Sequence, residues 1–312
     1  MPLHPQAEQF LAQLKTQRQL PLETLPVEMS RQALLLGSGL CRGCPTLARL
    51  EDRHIPGPGG PLRIRLYTPK AREPLGVCLY FHGGGWVLNS IETHDDLVRR
   101  LAAAGNCLFV SVDYRLAPEH PFPAAIDDGY AALLWVAEHA SEWGGDPARI
   151  AVAGDSAGGN IAAVLCLMSR DRSGPPIRQQ TLIYPITDCD FHRPSYLANA
   201  DGYFLTRSQM QWFWDQYVPD PAQRSDPYAS PLRAASLAGL PPALVLTAEY
   251  DPLRDEGEAF AAALRAAGVP VKLHRYDGMI HAFVKRVEIF DAAHDAIARI
   301  GAELQQALAP SG

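Results

Sequence analysis

Five uninterrupted apolar runs constrain this chain more than any other feature. They lie at 76–81, 107–112, 150–153, 181–184 and 243–247. Strands buried on both faces read this way, and burial on both faces is the mark of a parallel sheet covered by helices. Stretches with helical spacing separate the runs, at 95–104, 124–139, 157–168 and 254–267. Strand alternating with helix predicts a parallel α/β sheet with right-handed crossovers. A last strand is expected at 271–275, followed by a helix over about 289–308.

Two regions depart from this rhythm. In the first, Leu62, Ile64 and Leu66 alternate with Arg63, Arg65 and Tyr67, the period of a half-buried strand. The Pro- and Gly-rich turn before it predicts a hairpin. In the second, 189–229, no buried strand is apparent, but aromatic residues are dense. Thr206 and Gln209 have the spacing of a capping box that opens a helix through Tyr217. This stretch reads as an insertion over the sheet rather than an ordinary pair of core helices, because strand-to-strand connections are usually shorter. Residues 1–45 carry helical spacing of their own, with Phe10, Leu11 and Leu14 on one stripe.

The stretch Gly154-Asp155-Ser156-Ala157-Gly158 fits G-x-S-x-G between an apolar run and a helix-like segment. In that setting the pattern is a nucleophile elbow: a sharp turn that exposes a serine at the carboxyl edge of a sheet. A serine hydroxyl is a weak nucleophile and needs a base, which in turn needs an orienting acid. Of the later histidines, His192 lies in the insertion, His274 in a strand and His294 in the last helix. His281 falls on a loop just beyond the last strand, where ligand and catalytic groups gather in open α/β sheets. Asp251 ends the run at 243–250 and is the candidate acid, with Glu249 its nearest rival; Asp255 and Glu256 read as solvated or capping residues of the next helix. His82-Gly83-Gly84-Gly85-Trp86 follows the first apolar run. Its bare backbone suits an oxyanion hole, with Gly83, Gly84 and Ala157 as expected donors. Arg115 and Glu119, in a proline-stiffened stretch, are expected to pair and brace the site edge.

Composition excludes several classes. With 312 residues, 47% of them hydrophobic, the chain buries a large core. A net charge of -6 gives no basic footprint for nucleic acid. No apolar run approaches the roughly 18 residues of a membrane span, and the first residues lack the basic-then-apolar pattern of a secretory signal. A soluble cytoplasmic protein, monomer or homodimer, is expected. Cys78, Cys107 and Cys166 sit in apolar runs and read as core residues. Cys41 and Cys44 form a CxxC pair without the second pair or the histidines of a zinc site.

HGGGW (82–86), DYRLAPEHPFPAA (113–125), GDSAGGN (154–160), YPITD (184–188), DPLRDEG (251–257) and GMIHAF (278–283) together resemble the bacterial hormone-sensitive-lipase-like esterases. The resemblance runs in family order from about residue 47 to the end. It implies an α/β-hydrolase fold, a mostly parallel central sheet flanked by helices, with a helical cap. The domains implied are 1–45 as the first part of the cap, 46–188 as the first part of the catalytic core, 189–229 as the cap insertion and 230–312 as the rest of the core. It implies hydrolysis of short- to medium-chain acyl esters, small-molecule substrates, with no cofactor and no metal. Ser156 is then the nucleophile, His281 the base, Asp251 the acid, and Gly83, Gly84 and Ala157 the oxyanion donors. Trp86, Tyr203, Phe204, Trp212 and Phe213 are expected to line the substrate pocket. Amidase or deacetylase chemistry, and a non-catalytic ligand-binding protein on the same fold, are the competing readings. The second of these is disfavoured because all three triad positions are filled.

Overall fold

The computed structural model describes residues 2–17, 20–37, 43–72 and 74–310. Its strands are β1 (Arg49–Gly57), β2 (Gly60–Thr68), β3 (Leu75–Phe81), β4 (Leu108–Val112), β5 (Gly145–Asp155), β6 (Gln179–Ile183), β7 (Ala243–Tyr250) and β8 (Val271–Ile280). They form one sheet in the order β1-β2-β4-β3-β5-β6-β7-β8. β1 and β2 are the expected hairpin, and β2 meets β4 antiparallel. From β4 through β8 every pairing is parallel.

Period-two geometry explains the continuous apolar runs. Val77, Leu79 and Phe81 of β3 face one core, while Cys78 and Tyr80 face another. In β5, Ile150 and Val152 divide from Ala151 and Ala153 in the same way. Each face therefore has its own apolar layer, and every residue of these segments has a reason to be hydrophobic.

On one face pack α4 (Ala124–His139), α5 (Ala157–Asp171) and α8 (Arg254–Ala266); on the other pack α3 (Ile91–Gly105) and α9 (Asp291–Ala307). The last two cross closely at Gly301, where a Cβ would meet Ala104 at 2.7 Å.

Four helices lie outside this pattern: α1 (Pro5–Thr16), α2 (Val27–Gly37), α6 (Pro194–Ala198) and α7 (Arg207–Tyr217). α7 opens with the expected capping box. Thr206 Oγ1 accepts from Gln209 N at 3.1 Å, and Gln209 Oε1 accepts from Thr206 N at 3.2 Å. Its apolar face buries Met210, Phe213, Trp214 and Tyr217. Tyr217 stacks on Trp86 with ring centroids 4.0 Å apart, tying α7 to the loop after β3. α1 reaches the far edge of the sheet, where His4 N donates to Gly278 O at 3.0 Å and Ala7 and Leu11 join the second core.

Two expectations are corrected. Arg115 and Glu119 do not pair: Arg115 forks onto the buried Asp128 of α4 at 2.9 Å, and Glu119 takes Arg31 of α2 at 2.8 Å. Asp128 offers both oxygens from inside the fold, a geometry that suits a guanidinium better than a neighbour on the same loop. The stretch still braces the site, because Ala117 N donates to Trp86 O at 2.9 Å. Glu256 is not solvated. It points from the first turn of α8 into the interior and accepts from Thr187 N at 2.7 Å.

Cys78, Cys107 and Cys166 are buried thiols. Cys44 is disulfide-bonded, and Cys41 lies outside the described residues. Among the described residues, no helix is long and apolar enough to cross a membrane.

Burial pushes the Glu256 carboxyl well above its ordinary range. A raised folded-state value means that the neutral acid is the form the fold favours. Its stabilisation is present below the ordinary glutamate range and is lost as pH rises through the folded value. Glu256→Gln mimics the neutral form and keeps the acceptor for Thr187. Thermal melts across the neutral range are expected to show wild-type Tm falling with rising pH, and Glu256→Gln lacking that part of the fall. Parallel curves for the two proteins would count against an ionisation here.

Candidate active site

Ser156 sits between the end of β5 and the start of α5 with φ 57° and ψ -117°. A non-glycine residue there stores about 1–3 kcal/mol of strain and persists only when its surroundings over-determine it. They do so here. Ser156 N donates to Ile183 O of β6 at 2.8 Å, and Ser156 O accepts from Ile186 N at 3.2 Å and from Asn160 N at 3.1 Å. Asn160 Nδ2 in turn donates to Ile186 O and Ala229 O at 3.0 and 2.9 Å, fixing the start of α5 to its neighbours.

The two motif glycines are required by close approach. A Cβ on Gly154 would lie 2.2 Å from Gly158 O, and one on Gly158 would lie 1.8 Å from Phe81 O. Both obstacles are backbone atoms. Gly158→Ala is expected to cost about 3 kcal/mol or more, because β3 and the turn cannot separate without breaking the sheet edge. Denaturant unfolding measures this, and an unchanged midpoint would contradict it.

His281 lies immediately after β8 and 5% exposed, 125 residues from the serine in sequence. Its Nε2 is 3.1 Å from Ser156 Oγ, and its Nδ1 is 2.6 Å from Asp251 Oδ2. The carboxylate it faces assigns the proton to Nδ1, leaving Nε2 as acceptor for the serine hydroxyl. Asp251 is fully buried, and its other oxygen accepts from Leu253 N at 2.9 Å. The rival Glu249 points elsewhere: its Oε2 accepts from Gly278 N at 2.7 Å. The Tyr184 ring lies against His281, with centroids 4.6 Å apart. His192 and His294 are exposed, and His274 packs on Tyr276 in β8. Ser156, His281 and Asp251 are thus brought together, and the alternative residues are not.

The glycine loop differs from expectation in register. Gly83 N is occupied, donating to Asp155 Oδ1 at 2.9 Å, so Gly83 is corrected from the expected donor set. Gly84 and Gly85 carry φ of +125° and +60°, and their N–H groups have no acceptor among the described residues. Ala157 is the first residue of α5, where helix geometry leaves the N–H without an intrahelical partner.

Sequence reasoning missed Asp155 itself. This buried carboxylate accepts from Tyr80 OH at 2.7 Å as well as from Gly83 N, and faces His94 Nε2 at 3.4 Å. Burial alone would raise its pKa. The His94 ring and the hydrogen bonds it accepts outweigh that and hold it below the usual carboxylate range. His82 is pushed down to about 4 by burial and by the nearby His94, so it is neutral at pH 7. The residues were in the motifs; their contact, 72 residues apart in the chain, was not.

Of the expected pocket residues, Trp86 is corrected. It is fully buried between Trp214 and Tyr217 and has no face toward an open pocket. Phe213 lies directly on the glycine loop, where a Cβ on Gly85 would meet its ring at 2.2 Å. Trp212 packs against Phe213, and Tyr203 packs against Tyr250, next to Asp251. Phe204 is exposed and lies beneath the Arg286 guanidinium at 4.4 Å. Among the described residues, no group of three or more His, Cys, Asp or Glu is placed to hold a metal ion.

Comparison with known proteins agrees with this architecture. Residues 78–285 match the family described as having the α/β hydrolase fold. The chain is 47% identical over 266 residues to the carboxylesterase NlhH of Mycobacterium tuberculosis, covering 83% of each. It is 36% identical over 324 residues to an ethyl acetate hydrolase of Pseudomonas putida, covering 99% of this chain and all of that one. Among solved structures, the hyperthermophilic esterase of Pyrobaculum calidifontis superimposes with a TM-score of 0.93 at 45% identity, over 98% of this chain and 99% of the other. An elbow serine, a sheet that is parallel from β4 onward and matches along nearly the whole chain lead to one assignment: the chain belongs to the α/β-hydrolase-fold family, among its hormone-sensitive-lipase-like esterases.

Proposed function

We propose that this carboxylesterase hydrolyses short- to medium-chain acyl esters in two steps through an acyl-enzyme on Ser156. The observation that carries the reading is His281, which bridges Ser156 Oγ at 3.1 Å and Asp251 at 2.6 Å. In the first step Oγ attacks the ester carbonyl while its proton passes to His281 Nε2. Asp251 holds the ring in the tautomer that accepts this proton and stabilises the imidazolium that forms. The proton then goes to the departing alkoxide, which leaves as the alcohol. In the second step water attacks the acyl group, again giving its proton to His281, and the acid is released as Ser156 regains its hydrogen.

Negative charge on the carbonyl oxygen is stabilised by the N–H groups of Gly84, Gly85 and Ala157. Each such donor contributes about 10²–10³-fold to turnover in enzymes of this kind. The described parts of 1–45, together with 189–229, serve as the cap over the described parts of the core segments 46–188 and 230–312. Phe213, Trp212, Tyr203 and Phe204 supply the apolar surface for the acyl and alcohol groups. The name of the ethyl acetate hydrolase supports a small acyl group, since its ester is among the shortest.

A p-nitrophenyl ester series tests this on the purified protein. Acetate, butyrate and hexanoate are expected to turn over with high kcat/KM, and palmitate poorly. Rapid mixing is expected to release p-nitrophenol in a burst stoichiometric with enzyme where deacylation is slow. A preference for palmitate would overturn the chain-length reading. An anilide cleaved as fast as the ester of the same acid would overturn the ester assignment.

A further inference from the structure

We propose that Asn89 is a positioning residue for the oxyanion hole, its side-chain amide fixing the plane of the Gly83–Gly84 peptide and so the aim of the Gly84 N–H. This rests on the reading of Ser156 and the glycine loop given above.

The geometry is local. A trans peptide is planar, and its C=O and N–H point in opposite directions. The Gly83 carbonyl and the Gly84 N–H belong to one such plane, so holding the carbonyl sets the direction of the N–H. Asn89 Nδ2 donates to Gly83 O at 3.0 Å, and His82 Nδ1 lies 2.9 Å from the same oxygen. The Gly84 N–H is therefore turned away from both side chains, and it finds no acceptor among the described residues. The other side of Gly83 is tied independently, its N–H donating to Asp155, the residue before Ser156. The loop is thereby held against the elbow at one peptide and oriented at the next.

Asn89 also fits its place. It has φ 72°, a left-handed conformation that asparagine tolerates better than most residues. Its side chain lies so close to the loop that a Cβ on Gly84 would meet Asn89 Nδ2 at 2.7 Å. Without the amide, the Gly83–Gly84 peptide, which joins two glycines and leads into Gly84 at φ +125°, has freedom to rotate, because glycine offers no side chain to oppose it.

Two variants separate the amide from the backbone. Asn89→Gly keeps the left-handed conformation and removes the donor. Asn89→Asp keeps the shape but sets a carboxylate oxygen against the Gly83 carbonyl. With p-nitrophenyl butyrate, kcat is expected to fall about tenfold in the first and about 10²-fold in the second, less than or similar to deletion of a full donor. KM should stay within about twofold, because the ground-state ester does not need the hole. Affinity for an alkyl trifluoromethyl ketone, whose hemiketal oxygen occupies the hole, is expected to weaken by the same factor as kcat/KM. A loss of folding would instead lower Tm and the active fraction, so that kcat falls while ketone affinity stays and the proportionality breaks. Unchanged kcat in both variants, or a fall in kcat without matching loss of ketone affinity, overturns the proposal. Ser156→Ala in the same assay distinguishes the underlying reading: if that variant remains active, the whole site assignment fails rather than the role of Asn89.

Discussion

Ser156→Ala is expected to lower kcat/KM for p-nitrophenyl butyrate by about 10⁴–10⁶-fold with little change in fold. In the proposed mechanism the hydroxyl oxygen is the reacting atom, and the neighbouring hydroxyls are poorly placed to replace it. Thr181 Oγ1 and Thr187 Oγ1 are buried in the neighbouring segments, and Thr187 Oγ1 already donates to Glu256 O. The structural cost is small because the elbow is held through its backbone: Ser156 N and O are both bonded to the segment 183–186. Alanine at φ 57° is strained much as serine is, so the turn survives. A fluorophosphonate probe followed by peptide mass spectrometry gives a second measurement, with a phosphonyl group on Ser156 in the wild type and none in the variant. Activity within about tenfold of wild type would remove Ser156 from the chemistry.

Asp251→Asn is expected to lower kcat by about 10⁴-fold, the scale measured for this kind of change in a different serine hydrolase. Asparagine has the same shape, and its Oδ1 still accepts from Leu253 N. Its amide, however, presents N–H groups where the carboxylate presented lone pairs. The His281 ring then turns its unprotonated nitrogen toward residue 251 and its N–H toward Ser156. A protonated Nε2 cannot accept the serine hydrogen. Glu249 cannot substitute, since its carboxylate holds Gly278 N. KM for the ester is expected to change little. A variant retaining most of its turnover would mean that the acid does not govern the imidazole tautomer.

Much of this was legible before any coordinates. The runs at 76–81, 150–153 and 243–247 lie within strands, and those at 107–112 and 181–184 overrun theirs by one residue each, Cys107 and Tyr184, because burial on both faces leaves a continuous apolar signature. The helix 124–139 matches to the residue, and the Thr206 capping box is local chemistry that a sequence carries whole. The last strand was underestimated. It extends past Arg275 to Ile280, through Asp277 and Gly278, because a register shift between Ala248 and Tyr250 lets Tyr250 pair with Ile280. Neither charge nor glycine at those positions suggests a strand; the partner supplies the reason.

What the sequence hid was long-range hydrogen bonding. Three consecutive glycines offer three equivalent N–H groups on paper. Only the Asp155 carboxylate, brought up by β5, removes Gly83 from the donor set. Glu256 looked like a surface residue of α8 because its donor, Thr187 N, is 69 residues away in sequence. Trp86 looked like a pocket residue because aromatic side chains suit pockets; α7 takes it instead as a stacking partner.

The docking of α1 onto Gly278 has an outcome during synthesis. The residues of α1 must wait for a strand made more than 250 residues later, since His4 N, Ala7 and Leu11 have their partners only when β8 and its surroundings are present. A nascent chain halted before β8 has the serine turn but lacks the imidazole, and its leading helix offers a bare greasy stripe to water. On the proposed mechanism such an intermediate is expected to be hydrolytically silent and prone to clump, so premature stops late in the message are expected to yield aggregates rather than a weakened enzyme.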